Sequence, residues 1–201
     1  MRGRTLKYLF IDSATTNLVV AIIIDNKIAY IYNKNIGHDT SSNMMPVLAE
    51  AFKVSKILPK DIDKIFAVNG PGSFTGIRVG LTVAKTMAYC LNIPVVPISS
   101  LETMVSAKGG TALINARRGY VFAGTYDENL NVLYPDNYVL MNKKLKQPYV
   151  SYDEFEFTVE KPDINVLKLI KKHESDAPIN PHSLNPNYLK LTEAEEKQKN
   201  D

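Results

Sequence analysis

The sequence predicts an α/β protein with mixed β-sheets, helices on the sheet faces and two lobes of related architecture. Three β-rich runs joined by short polar turns open the chain, a pattern typical of an antiparallel meander. Helices and strands then alternate, so the first half reads βββαβαβα. A second meander begins after Gly109-Gly110. We therefore expect a first lobe over residues 1–107 and a smaller second lobe over residues 108–201, which ends in an extended segment.

The second lobe is inferred from a weak internal repeat. Phe10-Ile11-Asp12 aligns with Leu113-Ile114-Asn115, and Ala21 to Asp25 aligns with Ala123 to Asp127. Two unrelated meanders could also align by chance, so duplication and coincidence both stay open. Beyond the repeat the pattern predicts a strand, a helix, and a late strand or docking segment, at residues 149–152, 164–173 and 188–191.

Two first-lobe helices carry clear apolar faces. The first follows the N-cap candidates at Thr40 to Asn43 and places Met45, Leu48 and Phe52 on one face. The second follows the glycine-rich stretch Asn69 to Gly76 and ends at Asn92, before Pro94. Its main face consists of Ile77, Leu81, Ala84, Ala88 and Leu91, and its second face of Val83 and Met87. A helix that is apolar on two faces is expected to be buried between layers, and a third short helix is expected at residues 101–107.

Composition favours a folded intracellular protein. The 201 residues are 45% hydrophobic and 22% charged, which excludes global disorder. The net charge of +3 lacks a dense Lys/Arg run, so charge alone does not indicate nucleic-acid binding. The single cysteine, Cys90, excludes a disulfide framework and is expected in the core. No signal peptide and no apolar run near the roughly 20 residues of a membrane span is present, so we expect a cytoplasmic protein that does not contact the membrane.

The glycine-rich loop allows two interpretations. A loop at a helix N-terminus presents free N–H groups to an anion, so a phosphate site is physically available. The loop does not match a P-loop, however, because Ile77 and Arg78 stand where Lys and Ser/Thr are required. The alternative is a tight strand-to-helix connection that serves packing. If a nucleotide binds, its candidate residues are Asp12, Gly72, Ser73 and Thr75, but we expect no cofactor.

Asp12 and the histidines are the remaining candidates for chemistry. Asp12 ends the first strand ahead of Thr15-Thr16, but its counterpart in the repeat is Asn115, a poor metal–phosphate group. We expect Asp12 to cap its own turn. His38, His173 and His182 show no spacing of three to five residues, so no helix-borne metal site and no catalytic residue is predicted.

The stretch Gly70 to Gly80, GPGSFTGIRVG, closely resembles the TsaB (YeaZ) family, whose members take part in threonylcarbamoyl modification of adenosine in tRNA. The resemblance covers nearly the whole chain. Its further parts are the first strand at Leu9 to Ala14, the helix entry with His38, Ser41, Ser42 and Pro46, the turn Asn115 to Gly119, and the C-terminal Pro186 to Lys190. Asn115 replaces the usual Asp of the family's Asp-Ala-Arg turn.

The resemblance implies the two-lobe fold of actin/Hsp70-like (ASKHA, ribonuclease H-like) ATPases, with a reduced second lobe. It also implies a non-catalytic scaffold that binds a TsaD homologue, allows the ATPase TsaE to dock and meets tRNA only indirectly. A third hypothesis comes from the helices themselves: if the first two helices expose apolar residues, the same face pairs two copies of the chain when TsaD is absent. The expected interface lies on the first two helices and comprises Met45, Leu48, Phe52, Ile77, Arg78, Leu81, Ala84, Lys85 and Ala88. The rival hypothesis is an enzyme in its own right, either an actin-like phosphotransferase or a peptidase of the M22 type.

Overall fold

The computed structural model describes residues 5–37, 39–141 and 145–190, which form two mixed β-sheets and their covering helices. The first half follows the predicted βββαβαβα order. Its elements are β1 (Lys7–Asp12), β2 (Asn17–Ile24), β3 (Lys27–Asn35), α1 (Thr40–Ser55), β4 (Lys64–Gly70), α2 (Phe74–Leu91), β5 (Val95–Ser99) and α3 (Ser100–Met104). The third helix is therefore shorter than the predicted 101–107.

The second half also begins as predicted and then becomes irregular. Its elements are β6 (Gly110–Asn115), β7 (Tyr120–Tyr126), β8 (Val132–Leu140), β9 (Tyr149–Val150) and α4 (Val166–His173). Tyr188 to Lys190 form no strand: Tyr188 packs against α2, which is the docking alternative, and Lys190 lies over the Tyr138 ring of β8. Leu191 lies outside the described residues.

The first sheet has the strand order β3-β2-β1-β4-β5 within the described residues. The central strand β1 pairs antiparallel with β2 and parallel with β4, so the meander and the β-α-β units share one sheet. β1 and β2 are buried almost throughout, as the continuous β-branched run of Leu18 to Ile24 predicts for a strand covered on both faces.

The second sheet repeats the register of the first. In the described residues its order is β8-β7-β6-β9, with β6 antiparallel to β7 and parallel to β9. Phe10 is paired with Ala21 in the first sheet, and Leu113 is paired with Ala123 in the second. The predicted alignment of the two halves is confirmed at the level of individual strand pairs.

Two helices connect the lobes, because each packs on the sheet of the lobe to which it does not belong in sequence. α3 follows β5 of the first sheet, but its Leu101 and Met104 pack against Ala112 and Tyr126 of the second sheet. α4 lies late in the chain, but its apolar residues join the core of the first sheet. Each of these helices packs on the sheet of the other lobe, and this exchange interlocks the two lobes. The boundary between residues 107 and 108 stays a prediction.

Two features of the surface complete the fold. Cys90 is exposed, not a core residue, because the helical rotation places it away from the face that carries Ala84 and Ala88. Within residues 5–37, 39–141 and 145–190, no helix is both long and apolar enough to cross a membrane.

Candidate functional site

Asp12 is buried at the carboxyl end of β1, with 2% of its surface exposed. The backbone N–H of Ala14 donates to Asp12 Oδ1 at 2.9 Å, so the prediction that Asp12 caps its own turn is confirmed. Burial raises the pKa of Asp12 to about 7, and the hydrogen bond from Ala14 opposes that shift only in part. The carboxyl group is therefore part of the packed turn and is easily protonated.

The glycine-rich loop packs directly on this turn. A Cβ atom at Gly72 would overlap the carbonyl oxygen of Ala14, and one at Gly76 would overlap that of Ser13. The N–H of Ser73 donates to the Ala14 carbonyl at 2.7 Å, and the Ser13 hydroxyl donates to the Gly76 carbonyl at 2.8 Å. The glycines thus allow α2 to begin against the end of β1, which is the packing interpretation of the loop.

A cleft of about 470 Å³ lies between the two lobes. The first lobe contributes Thr15, Thr16, Gly72, Ser73 and Thr75 to its walls, so three of the four nucleotide candidates border it while Asp12 does not. The second lobe contributes residues of the turn after β6 and of the segment after β9; they are Asn115, Arg117, Tyr152 and Asp153.

The second-lobe wall of the cleft is a polar turn of mixed charge. Asn115 Oδ1 accepts from the N–H of Arg117 at 2.8 Å, and Asp153 Oδ2 accepts from the N–H of Asn115 at 2.7 Å. The Tyr152 hydroxyl is buried without a hydrogen-bond partner among the described residues, and burial together with the charge of Asp12 raises its pKa. The Asp153 carboxylate and the Arg117 guanidinium thus both border this wall of the cleft.

The predicted partner interface divides into buried and exposed residues. Ile77, Leu81, Ala84 and Ala88 are at most 3% exposed, because this face of α2 packs on its own sheet. The interface prediction is corrected for these four residues: they stabilise the first lobe and leave no surface for a partner. The helix-spacing pattern identified the apolar face but could not distinguish core from interface.

The second face of α2 opens on a groove that it shares with α1. Met45, Leu48 and Phe52 of the prediction line this groove, and Met45 is 57% exposed. The residues that the interface prediction omitted are Ala49, Pro59, Thr82, Val83, Thr86 and Met87. The sequence could have identified two of them, Val83 and Met87, because they form the second apolar face of α2. That face lines the open groove and is only partly buried, so the expectation of a helix covered on both sides is corrected.

Arg78 and Lys85 face away from this groove, toward the C-terminal segment. Arg78 Nε donates to the Tyr188 hydroxyl at 2.9 Å, and Lys85 Nζ donates to the His182 carbonyl at 3.4 Å. Neither residue lines the apolar groove, and their place at the partner interface stays a prediction. They hold residues 182–188 against α2.

The described residues contain no group of three or more His, Cys, Asp or Glu side chains that could hold a metal ion. His173 contacts Glu102 Oε1 at 3.0 Å and Asp176 Oδ2 at 2.6 Å, and Lys172 Nζ contacts Glu102 Oε1 at 2.6 Å. We call Glu102, Lys172 and His173 the α3–α4 clasp. His38 lies outside the described residues.

Two lobes of similar topology, each with a meander and a parallel strand, and with a cleft between them, define an actin-like α/β protein. A family model described as "TsaD: tRNA N6-adenosine threonylcarbamoyltransferase" matches residues 33–188. The chain belongs to this family and, within it, to the TsaB (YeaZ) group.

Individual relatives agree with this assignment. The "tRNA threonylcarbamoyladenosine biosynthesis protein TsaB" of Bacillus subtilis is 29% identical over an alignment that covers 94% of this chain and 96% of that protein. The protein of the same name from Escherichia coli is 29% identical over 63% of this chain and 57% of its own length. "YeaZ from Pseudomonas aeruginosa", at 17% identity, superposes with a TM-score of 0.77 over 92% of this chain and all of that chain.

Proposed function

We propose that the chain is a non-catalytic scaffold subunit in the synthesis of N6-threonylcarbamoyladenosine in tRNA. In this role it binds a TsaD homologue and allows a TsaE homologue to dock. The names of its relatives support the pathway. The observation that carries the scaffold role is the apolar groove between α1 and α2, defined by Met45, Leu48, Phe52, Val83 and Met87.

The groove has the properties of a protein interface. Its volume is about 430 Å³, and its walls are almost entirely apolar, which is unusual for a surface that stays in water. Methionines line it on both helices, at Met45 and Met87, and flexible thioether side chains adapt well to a partner surface. About half of the Met45 surface is exposed, so covering this side chain with a partner removes the most apolar surface from water and stabilises the complex most.

The residues of the cleft support a scaffold better than an enzyme. Asp12 is used by its own turn, Gly72 and Gly76 by the contact between α2 and β1, and Asn115 stands in the place of the second acidic group. An ATPase needs carboxylates that reach a metal–phosphate group, and these positions offer a buried acid and an amide. No grouping among the described residues favours a peptidase.

Two charge substitutions on α1 test whether the groove binds the TsaD homologue. Met45 and Val54 are both exposed apolar residues of α1, at 57% and 48%, but only Met45 lines the groove. We expect Met45→Glu to weaken capture of a purified TsaD homologue by at least about tenfold, because a charge would be buried in an apolar interface. Val54→Glu is the matched control and should bind as the wild type does. Equal capture by both variants would exclude the groove as the interface.

We propose that the same groove pairs two copies of the chain when the partner is absent. We expect sedimentation to show a homodimer of the isolated chain, which Met45→Glu dissociates and an excess of the TsaD homologue replaces. A homodimer that persists with the TsaD homologue bound would mean that two separate surfaces are involved. Magnesium-dependent ATP turnover by the pure chain, lost in Asp12→Ala, would favour the phosphotransferase instead.

A further inference from the structure

Aromatic rings and cations alternate along a surface beside the inter-lobe cleft. We call this surface the rim belt; it comprises Phe74 and Arg78 of α2, Tyr188 and Lys190 of the C-terminal segment, and Tyr120 and Tyr138 of the second sheet. The groove between α1 and α2 contains none of these residues. The belt and the groove are therefore separate surfaces that share helix α2.

The first-lobe part of the belt is a stacked assembly. The rings of Phe74 and Tyr188 lie 5.3 Å apart with 21° between their planes, and the Arg78 guanidinium lies 3.8 Å from the Phe74 centroid. Arg78 also donates to the Tyr188 hydroxyl. These contacts fix the three side chains in place, yet 56% of the Phe74 surface remains exposed. An ordered and exposed aromatic residue is well suited to stack against a planar ligand.

The second-lobe part of the belt also consists of stacked aromatic rings with a cation beside them. Tyr120 and Tyr138 are stacked at 4.6 Å with 9° between their planes, and Lys190 Nζ lies 5.6 Å from the Tyr138 centroid. The residues 188–190 thus join the two lobes across one side of the cleft. Phe122 links the belt to the cleft itself, because it contacts Tyr138 and lines the cleft wall.

The cations of the belt are available to an anionic ligand. Among residues 5–37, 39–141 and 145–190, neither Arg78 nor Lys190 forms a salt bridge with a carboxylate, and the same holds for Arg117 and Arg118 on the adjacent turn. Arg117 lines the cleft together with Phe74. Both arginines of that turn are exposed, with φ of 67° and 53°. The turn therefore adds two guanidinium groups next to the belt.

We propose that the rim belt binds single-stranded RNA directly, at an unpaired loop of the tRNA. This inference rests on the proposed function, which makes tRNA the substrate of the assembled complex. Unstacked bases bind aromatic side chains and guanidinium planes, while neighbouring cations contact the phosphates. A stacked aromatic row interleaved with unpaired cations provides both interactions, whereas an acidic protein surface would need the cations but not the ordered rings.

Affinity for a defined RNA tests the proposal. The probe is an unmodified anticodon stem–loop, compared with a duplex of the same length, and it is titrated into the full chain and into its complex with the TsaD homologue. We expect the stem–loop to bind more tightly than the duplex. Phe74→Ala should weaken stem–loop binding about tenfold, because one base loses its stacking partner. Tyr89→Ala is the matched control, since Tyr89 is a 65% exposed aromatic residue on the same helix outside the belt.

A charge variant gives a second readout that does not depend on stacking. Arg78→Gln should reduce the slope of log affinity against log salt by about 1, whereas Lys53→Gln on α1 should leave the slope unchanged. Thermal unfolding of each variant shows that the fold is kept. Equal effects of Phe74→Ala and Tyr89→Ala on RNA affinity, or equal affinity for duplex and stem–loop, would overturn the proposal.

Capture of the TsaD homologue separates this inference from the proposed function. If the complex forms with Phe74→Ala but the variant binds RNA as the wild type does, the RNA contact is wrong and the scaffold role stands. If no complex forms with the wild type, the scaffold role itself fails. If Phe74→Ala weakens only the capture of a TsaE homologue, the belt is a protein surface and the RNA proposal is wrong.

Discussion

The turn after β1 in the first lobe is buried beneath α2, whereas the corresponding turn after β6 in the second lobe faces solvent at the cleft. The two turns begin with the same hydrogen bond. Asp12 accepts from the N–H two residues later at 2.9 Å, and Asn115 accepts from the N–H two residues later at 2.8 Å. Asp12 is 2% exposed, however, while Asn115 and Arg117 are exposed.

The difference between the turns comes from what packs on them. In the first lobe Gly72 and Gly76 allow α2 to contact the backbone of Ser13 and Ala14. In the second lobe Gly119 has nothing within 4 Å of its Cβ position. The turn of the first lobe is thus a packing element, and the turn of the second lobe presents polar and cationic groups to the cleft.

The largest effect is expected for a methyl group between α2 and the first turn. Gly76→Ala should lower the free energy of unfolding by about 3 kcal/mol or more, because the new Cβ would overlap the Ser13 carbonyl and the backbone must move. Gly119→Ala is the matched variant of the second lobe and should cost only about 1 kcal/mol, the strain of its positive φ of 78°. Urea unfolding measures both. Equal losses would mean that the two turns are packed alike.

The second prediction concerns the side chain at the two equivalent positions. Asp12→Asn should raise the free energy of unfolding by about 2–4 kcal/mol near pH 8, because it removes a buried charge and keeps an oxygen to accept from Ala14. Asn115→Asp should change it by no more than about 0.5 kcal/mol, since that side chain is exposed.

The pH dependence of this effect has a definite sign. The pKa of Asp12 rises from 3.8 to about 7 on folding, so the unfolded chain releases its proton first. The Asp12 contribution to stability should therefore fall as the pH rises from about 4 to about 7, so the gain in unfolding free energy from Asp12→Asn should grow over this range. A gain that stays constant over this range, or that shrinks, would contradict the assignment.

A smaller effect is expected at the α3–α4 clasp, where the two lobes interlock. Burial lowers the pKa of His173, but its hydrogen bonds to Glu102 and Asp176 and their charges outweigh burial, so the pKa lies above its ordinary value. Burial likewise raises the pKa of Glu102, and the contacts with His173 and Lys172 bring it below its ordinary value. The clasp therefore favours the protonated form of His173 and the ionised form of Glu102.

His173→Gln should lower the free energy of unfolding by about 1 kcal/mol near pH 6 and by much less near pH 9. The His173 contribution is fully present below its unfolded pKa of about 6.5 and is lost as the pH rises through the higher folded value. Lys171→Gln, at an exposed neighbour on α4, is the control. A loss that is constant across this pH range would show that His173 contributes by packing alone.

The sequence predicted the local structure of both lobes well, because the period of apolar residues and the turn residues are local properties. The helix bounded by Ser73 and Asn92 and the alignment of Phe10 with Leu113 both follow from such patterns. The same patterns do not record which surface an apolar face contacts. Ile77 was therefore predicted at the partner interface and Val83 was not, although Ile77 lies in the core and Val83 lines the groove.

Long-range contacts were missed for the same physical reason. Leu184 is fully buried although it lies in an irregular segment rich in proline and asparagine, where no period marks it as a core residue. The packing of α3 and α4 on opposite sheets likewise depends on contacts between residues about 70 positions apart, such as Glu102 and His173. Only the folded chain brings those residues together.

Reconstituted tRNA modification tests the central claim most directly. A TsaD homologue, its TsaE partner, tRNA and the threonylcarbamoyl donor are combined with the wild-type chain, with Asp12→Asn or with Met45→Glu, and formation of the modified adenosine is measured. A scaffold that acts through the α1–α2 groove predicts activity near the wild-type level with Asp12→Asn and a severe loss with Met45→Glu. Loss of activity with Asp12→Asn, together with full activity with Met45→Glu, would contradict the scaffold account and place the chemistry in the cleft.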